Sequence, residues 1–408
     1  MNVQIPVSVK IKYYLYQIAQ SGQMSGPIWV LFLTARGMSY TQVGALDSAF
    51  AVVIILAEAP TGYLGDRIGR RNSLLISATT RTVGSIGFAL SSSFGPFVLL
   101  YALLALGQTF RSGTESAWLY DILDERFDSD QFSTIRGRGK ALGKITGGAA
   151  ALAGGALGSV DLALPWIASG VATGVAFVVL LTFPETNHQS EDDDSFDVTA
   201  ALSAVWSQLL GSSLAPFVLY TGLFYSVVAG LNYLVQPVAV ASGIDVAQIG
   251  ILYAGFRVVS AGINAVTGRI ENRVGGASWF RAMPFLVGIV FAAILPFRLL
   301  AIPAFFLMKA VREASRTIEQ QYLNDRIEQT GRATILSSAA LVHALVAIPF
   351  QLSVGKTADV VGPRTAAGVF GLVLVVGSAA VMIVTNAFGG GVLRPDTVVV
   401  EPTEATDD

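Results

Sequence analysis

Residues 61–71 read Thr61-Gly62-Tyr63-Leu64-Gly65-Asp66-Arg67-Ile68-Gly69-Arg70-Arg71, closing a long apolar run that begins near Thr41. Moved forward by 206 positions, this run falls without a gap on a second one. Gln42, Gly44, Phe50, Val52 and Val53 then meet Gln248, Gly250, Phe256, Val258 and Val259. Thr61-Gly62 meets Thr267-Gly268, and Arg67-Ile68-Gly69 meets Arg273-Val274-Gly275. A shift of 204 adds Glu115, Trp118, Leu119 and Asp121 against Glu319, Tyr322, Leu323 and Asp325. Self-similarity on this scale marks two copies of one ancestral unit.

Composition states what solvent the copies meet. Of 408 residues, 53% are hydrophobic and 13% charged, about half the charged share of a soluble domain. A soluble interior of this size could not hide so much apolar surface. A bilayer removes the difficulty, because a helix of about 20 apolar residues crosses about 30 Å of lipid tails. The first dozen residues lack the apolar core and small-residue cleavage site of a secretory signal. The chain has no cysteine, hence no disulfide or thiolate metal site, and its net charge of −2 gives no footprint for nucleic acid. Neither a metal nor a cofactor is expected.

Hydropathy and punctuation divide the chain into twelve predicted spans. Six lie near 13–34, 41–64, 73–92, 97–121, 141–158 and 164–183, and six near 214–237, 247–267, 278–296, 299–325, 333–354 and 365–388. The predicted organisation is a first six-helix bundle over 1–183, an acidic linker with an interfacial amphipathic segment over 184–212, a second bundle over 213–388, and a disordered acidic tail over 389–408. Arg67, Arg70, Arg71, Arg126, Arg136, Arg138, Lys140, Arg269, Arg273, Arg281, Arg326 and Arg332 fall in loops on one side, against Arg36, Arg298, Lys356 and Arg364 on the other. The positive-inside rule therefore places both termini in the cytoplasm of a cell-membrane protein. Asp192–Asp194 and the Glu404–Asp408 end, with six lysines against twenty arginines, fit a high-salt cytoplasm as in a halophilic prokaryote, and equally two disordered acidic linkers. Two copies that each run inside to inside are parallel repeats, which build a cavity between bundles able to rock.

The stretch from Gly62 to Arg71 resembles the G-x-L-x-D-R-x-G-R-[RK] signature of the major facilitator superfamily. The resemblance implies an all-α, twelve-span fold of two pseudo-symmetric bundles, and a gate at the inner face made by Gly62, Asp66, Arg67, Gly69, Arg70 and Arg71. The chemistry suits that role: glycine allows a tight turn or close approach, and Asp66 can accept from an arginine or a helix N-terminus. Arg70 and Arg71 would serve as topology signals in any case. The second copy, Gly268, Asn272, Arg273 and Gly275, lacks the acid and the trailing arginines, and reads as a degenerate latch. Pro184-Glu185-Thr186 is similar to the P-E-[ST] run of many family members and would equally end a helix, while the run Glu58-Ala-Pro60-Thr61-Gly62, with Ser112-Gly113-Thr-Glu115 and Arg332-Ala-Thr, resembles a drug-efflux-like prokaryotic branch. Two departures stand out. The family's span-4 arginine would fall at Thr109, two residues before Arg111. Its antiporter proline in span 5 is missing from Gly147-Gly148-Ala-Ala-Ala-Leu-Ala153-Gly154-Gly155, where the glycines also suit close helix packing.

Charges inside spans cost roughly 2.5–3.5 kcal/mol each at mid-helix, so they face a partner or a wet cavity. Span 10 holds Lys309, Arg312, Glu313, Arg316 and Glu319. Measured from Asp325, Arg316 lies about 13 Å deep and Arg312 about 20 Å. Span 4 offers Arg111 and Glu115 at i, i+4, and in the family spans 1, 4, 7 and 10 line the cavity. Three readings stay open: a salt bridge between halves, arginines holding an anion, or neutralisation within one helix. In span 2, Asp47 lies near one end, and Glu58 is a candidate proton carrier or a partner for Arg81. His343 reads as a packing residue, and Tyr220, Tyr225 and Asn232 as cavity tips or interfacial groups. With no Walker sequence, the expectation is a transporter and not an enzyme. It should carry a small molecule by alternating access, driven by protons or another ion, most simply as a monomer in the bilayer. Efflux of drug-like amphipathic compounds comes first, uptake or exchange of a small organic anion second. A non-transporting receptor or scaffold is the alternative from another class.

Overall fold

The computed structural model describes residues 7–127, 129–184, 214–326 and 332–385. The predicted linker, its amphipathic segment, the tail and Glu185-Thr186 lie outside them. Among the described residues the chain is helical, without a strand. The first half comprises α1 (Val7–Ser21), α2 (Trp29–Ala35), α3 (Tyr40–Ile68), α4 (Arg70–Leu90), α5 (Phe94–Arg111), α6 (Thr114–Arg126), α7 (Phe132–Val160) and α8 (Leu164–Leu181). The second half comprises α9 (Ala215–Ala241), α10 (Val246–Val274), α11 (Gly276–Ala292), α12 (Ala301–Asn324), α13 (Arg332–Val361) and α14 (Pro363–Thr385). Two predicted spans are interrupted. Span 1 breaks between α1 and α2, across Gly26-Pro27, and span 4 breaks at Ser112-Gly113, where Gly113 takes φ +76°.

Seven described helical stretches are long and apolar enough to cross a membrane on length and composition alone. The others fail for visible reasons. Span 1 is cut in two, α4 carries Arg70, Arg71 and Arg81, α7 begins with a run of cations, α11 has 17 residues, and α12 holds the charges of span 10. Large apolar side chains such as Leu99, Val160, Val171 and Val376 lie exposed while Gln17, Ser77, Thr173 and Gln236 are buried. That inversion suits a lipid-facing surface around a polar interior.

The repeat persists in the backbone. Gly69 and Gly275, 206 residues apart, turn the chain into the next helix with φ +92° and +74°, a conformation that favours glycine. Gly37 and Gly243, also 206 apart, do the same at φ +82° and +86°. Gln42 accepts from the Ser39 backbone N–H at 2.9 Å to complete a capping box, and its counterpart Gln248 accepts from Asp245 N–H at 3.0 Å. The matching glutamines therefore start corresponding helices in the same way.

By packing, the chain forms two compact units, Met1–Phe196 with Gln236–Arg257, and Asp197–Val235 with Val258–Asp408. The first thus takes the end of α9 and the start of α10 from the second sequence half. Its aromatic core stacks Phe88 on Trp166 at 4.3 Å, with Phe32, Phe97 and Tyr101 around them. The glycines of α7 fit the packing role expected of them. Ideal Cβ atoms on Gly139, Gly143 and Gly147 would meet Tyr13, Ser21 and Arg257, Gly154 lies against the Met24 carbonyl, and Gly155 against the Gly250 backbone. Gly148 faces open space.

In the same unit, the fully buried Gln236 amide closes the break in span 1. Its Oε1 accepts from Val30 N–H at 2.9 Å and Leu31 N–H at 3.3 Å, and its Nε2 donates to the Gly26 carbonyl at 3.0 Å and the Tyr253 hydroxyl at 2.9 Å. The N-terminus of α2 has no cap from its own flanking residue, so this amide meets donors that lipid would leave unmet. Val30 and Gln236 are counterparts under the 206-residue repeat.

In the second unit, α11 packs on α14 and α12, and α13 on α14. Trp279 Nε1 donates to Ser315 Oγ at 2.9 Å, and Phe217 stacks on Tyr322 at 4.3 Å.

Candidate substrate cavity and gate

The gate motif sits where α3 turns into α4. Gly69 makes the turn and Gly65 the close approach, since a Cβ there would lie 2.9 Å from Ser73 Oγ. Gly62 has open space instead. Arg70 Nη1 donates to Asp121 Oδ2 of α6 at 2.5 Å, while its Nε stands 4.0 Å from the half-exposed Asp66. Arg71 donates to the Leu180 and Leu181 carbonyls at 3.1 Å each, meeting the C-terminus of α8. Both arginines thus bind structure as well as any topology they signal. In the second copy Gly276 occupies the place of Arg70 and packs against Tyr322, while Asn272 and Arg273 are exposed. Asp121 was visible in the sequence only as a repeat match to Asp325. Asp121→Asn is expected to remove the charge from a largely buried pair and lower stability by about 1–3 kcal/mol. Asp66→Asn should leave the melting temperature unchanged and lower transport, and wild-type flux in it would reduce the motif to turn and topology.

A second polar cluster lies inside the first unit. Glu115 accepts from Gln17 Nε2 at 2.7 Å and from Arg111 Nη1 at 3.2 Å, and Gln17 also donates to Tyr13 at 3.0 Å. Arg111 and Glu115 flank the break at Gly113, and irregular backbone at membrane depth is tolerated where it is buried in protein or lines a cavity. Glu58, expected as a proton carrier or a partner of Arg81, is exposed and accepts from Ser112 Oγ at 3.2 Å. Asp47 is half-buried in the electrostatic field of Tyr101. Thr109, at the family's arginine position, donates to the Leu106 carbonyl at 2.9 Å.

The second unit contains a cavity of about 490 Å³ lined by α9, α12 and α13. Arg312, Arg316 and Glu319 face it, together with Tyr225 and His343. Alanines at 229, 339, 340, 344 and 347 make much of the remaining wall. The charges of span 10 therefore divide. Lys309 is engaged with Asn232 at 2.5 Å, and Glu313 is half-buried and is not part of the cavity wall. Arg316 is exposed and, among the described residues, makes no hydrogen bond or close salt bridge, though it acts electrostatically on Glu319. Glu319 also meets His343, 3.6 Å away across α12 and α13, and interacts with Thr221 and Tyr225 of α9. His343 Nε2 also lies 3.0 Å from Thr221 Oγ1 and 3.2 Å from the Val218 carbonyl. A carbonyl only accepts, so a hydrogen bond to Val218 requires the tautomer or the cation with hydrogen on Nε2. His343, read as a packing residue, thus also makes polar contacts with α9 and α12. A lone histidine in an apolar run carries no signal of this, because its partners come from other helices. Of the tyrosines and the amide of span 7, only Tyr225 reaches the cavity, whereas Tyr220 donates to the Phe280 carbonyl at 2.9 Å.

The family model of the Major Facilitator Superfamily matches residues 18–341. The chain belongs to this superfamily. A Bacillus subtilis relative, the uncharacterized MFS-type transporter YxaM, is 23% identical over 334 residues, covering 78% of this chain and 81% of its own. A protein of Cupriavidus pinatubonensis named as a probable 4-methylmuconolactone transporter is 25% identical over 260 residues, 59% of this chain and 56% of its own. The crystal structure of the nucleoside transporter NupG superposes with a TM-score of 0.76 at 13% identity, over 94% of this chain and 99% of that one. At that identity the match shows the fold. The protein is a multi-pass membrane transporter with the twelve-span architecture of the superfamily.

Proposed function

We propose that this superfamily member transports a small amphipathic organic anion, driven by protons. The observation that carries the reading is the cavity of the second unit, where Arg312 and Arg316 stand on a wall otherwise rich in alanine and leucine. Guanidinium forks suit a carboxylate or similar oxyanion, and the apolar wall suits a hydrophobic body. The named cargo of the Cupriavidus relative, 4-methylmuconolactone, supports a small organic substrate. Resemblance to the efflux-like branch favours export, and the amphipathic wall is compatible with it. The Glu319–His343 pair at the cavity supplies groups that can exchange a proton. The gate end is taken as cytoplasmic, from the distribution of arginines.

Proteoliposomes test this with radiolabelled benzoate and, as an amphipathic cation, ethidium, each with and without a pH gradient. Gradient-driven benzoate flux is expected in the wild type, reduced about tenfold or more in Arg316→Gln with the melting temperature unchanged. Ethidium flux without benzoate flux would return the drug-efflux reading, and flux of neither would favour a receptor or scaffold.

A further inference from the structure

We infer that Arg81 of α4, with Arg111 of α5, forms a binding site for a carboxylate-type anion inside the first unit. The inference rests on charge balance and on donors left unmet. Glu115 is the acid of this cluster, and its two oxygens are taken by Gln17 and Arg111. Arg81 lies in the electrostatic field of Arg111, Tyr16 and Glu115, so two guanidinium groups share one carboxylate. Glu58, the acid on the facing α3, is exposed and bonded to Ser112. Arg81 Nη1 and Arg111 Nε are both buried without a hydrogen-bond partner among the described residues. The Gln20 Oε1 and Gln23 Nε2 atoms of span 1 are buried without a partner as well. Native interiors rarely leave such groups unmet without a reason, and a buried uncompensated charge is costlier still.

The seat is built for Arg81. A Cβ on Gly107 of α5 would lie 2.7 Å from Arg81 Cγ, so the missing side chain is the space in which the arginine stem runs. An incoming carboxylate would accept from Arg81 Nη1 and Arg111 Nε, the two unmet donors, while Gln17 and Arg111 Nη1 keep Glu115 engaged. Arg81 stands on span 3, outside the four spans that the family resemblance places around the cavity. This inference rests on the organic-anion reading for the kind of ligand, but its signature does not need a substrate.

If Arg81 is held in reserve for an anion, the empty protein carries one buried positive charge too many. Arg81→Gln is then expected to raise the melting temperature of the purified protein by about 2–4 °C while reducing benzoate flux about tenfold or more. Arg111→Gln, which strands Glu115, should instead lower the melting temperature. Stability gained as function is lost is the mark of a site whose charge serves binding. A lower melting temperature in Arg81→Gln, with or without loss of flux, would make Arg81 a structural residue and overturn the proposal, as would wild-type values of both. If Arg316→Gln alone stops benzoate flux, the organic-anion reading stands and this site falls. If the wild type moves no benzoate, the opposite stability signs of Arg81→Gln and Arg111→Gln still decide whether the charge is held in reserve.

Discussion

Gly155→Ala is expected to cut transport at least about tenfold and to lower the melting temperature. An ideal Cβ at position 155 would come within 2.6 Å of the Gly250 backbone nitrogen and 2.7 Å of the Ala247 carbonyl oxygen. Neither is the loose end of a side chain, so α7 and α10 must separate to admit even one methyl. Overpacking of this kind typically costs about 1–3 kcal/mol. In a membrane the penalty is concentrated, since small residues at crossings are what let helices approach. Gly148→Ala is the internal control, because nothing stands within 4 Å of its missing Cβ, and it should match wild type. Flux and melting temperature measured on both variants check the contrast. Equal behaviour of the two would mean that the α7–α10 contact is slack.

His343→Leu should uncouple transport from the proton gradient. In the fold, Glu319 is buried and its Oε1 has no hydrogen bond, His343 Nε2 lies 3.6 Å away, and Thr221, Tyr225 and Arg316 also stand beside the carboxyl. Without the imidazole the carboxyl keeps Thr221, Tyr225 and Arg316 as neighbours but loses the contact across α12 and α13, at a cost of about 1–3 kcal/mol. Stability should therefore fall in His343→Leu and recover in part when Glu319→Gln is added, since the amide carries no charge. Gradient-driven accumulation should be absent in both variants, while exchange of benzoate across the membrane continues. Persistence of gradient-driven accumulation in His343→Leu would place coupling elsewhere, with Glu58 next in line. Arg316→Gln combined with Glu319→Gln should not rescue flux, because the two side chains are not an ion pair in this structure.

Much of this architecture is legible along the chain. The helical, membrane-type architecture follows from hydropathy, the repeat from a gapless 206-residue match, and the α3–α4 turn from its glycine. What the sequence hides are partners. Asp121, not Asp66, is the close partner of Arg70, and it comes from a helix 51 residues away. His343 meets Glu319 only because α12 and α13 lie together. Arg81 reads as a candidate partner of Glu58, which bonds Ser112 instead, and only the fold shows Gly107 making room for its stem. Continuous apolar stretches also conceal their own interruptions. Gly26-Pro27 and Ser112-Gly113 carry ordinary turn signals, yet hydropathy averages them away. The break in span 1 becomes intelligible only with the amide that fills it.

That amide bears on how the chain is made. Synthesis delivers Val30 and Leu31 to the membrane some 200 residues before Gln236 exists to accept from them. During that interval the start of α2 has no cap from its own sequence, and unsatisfied backbone groups are costly in hydrocarbon. The start of α2 therefore gains these two backbone partners only when a distant part of the same polypeptide arrives. The last polar contacts of span 1 are thus supplied by the other ancestral copy, although each copy begins its helices in the same way.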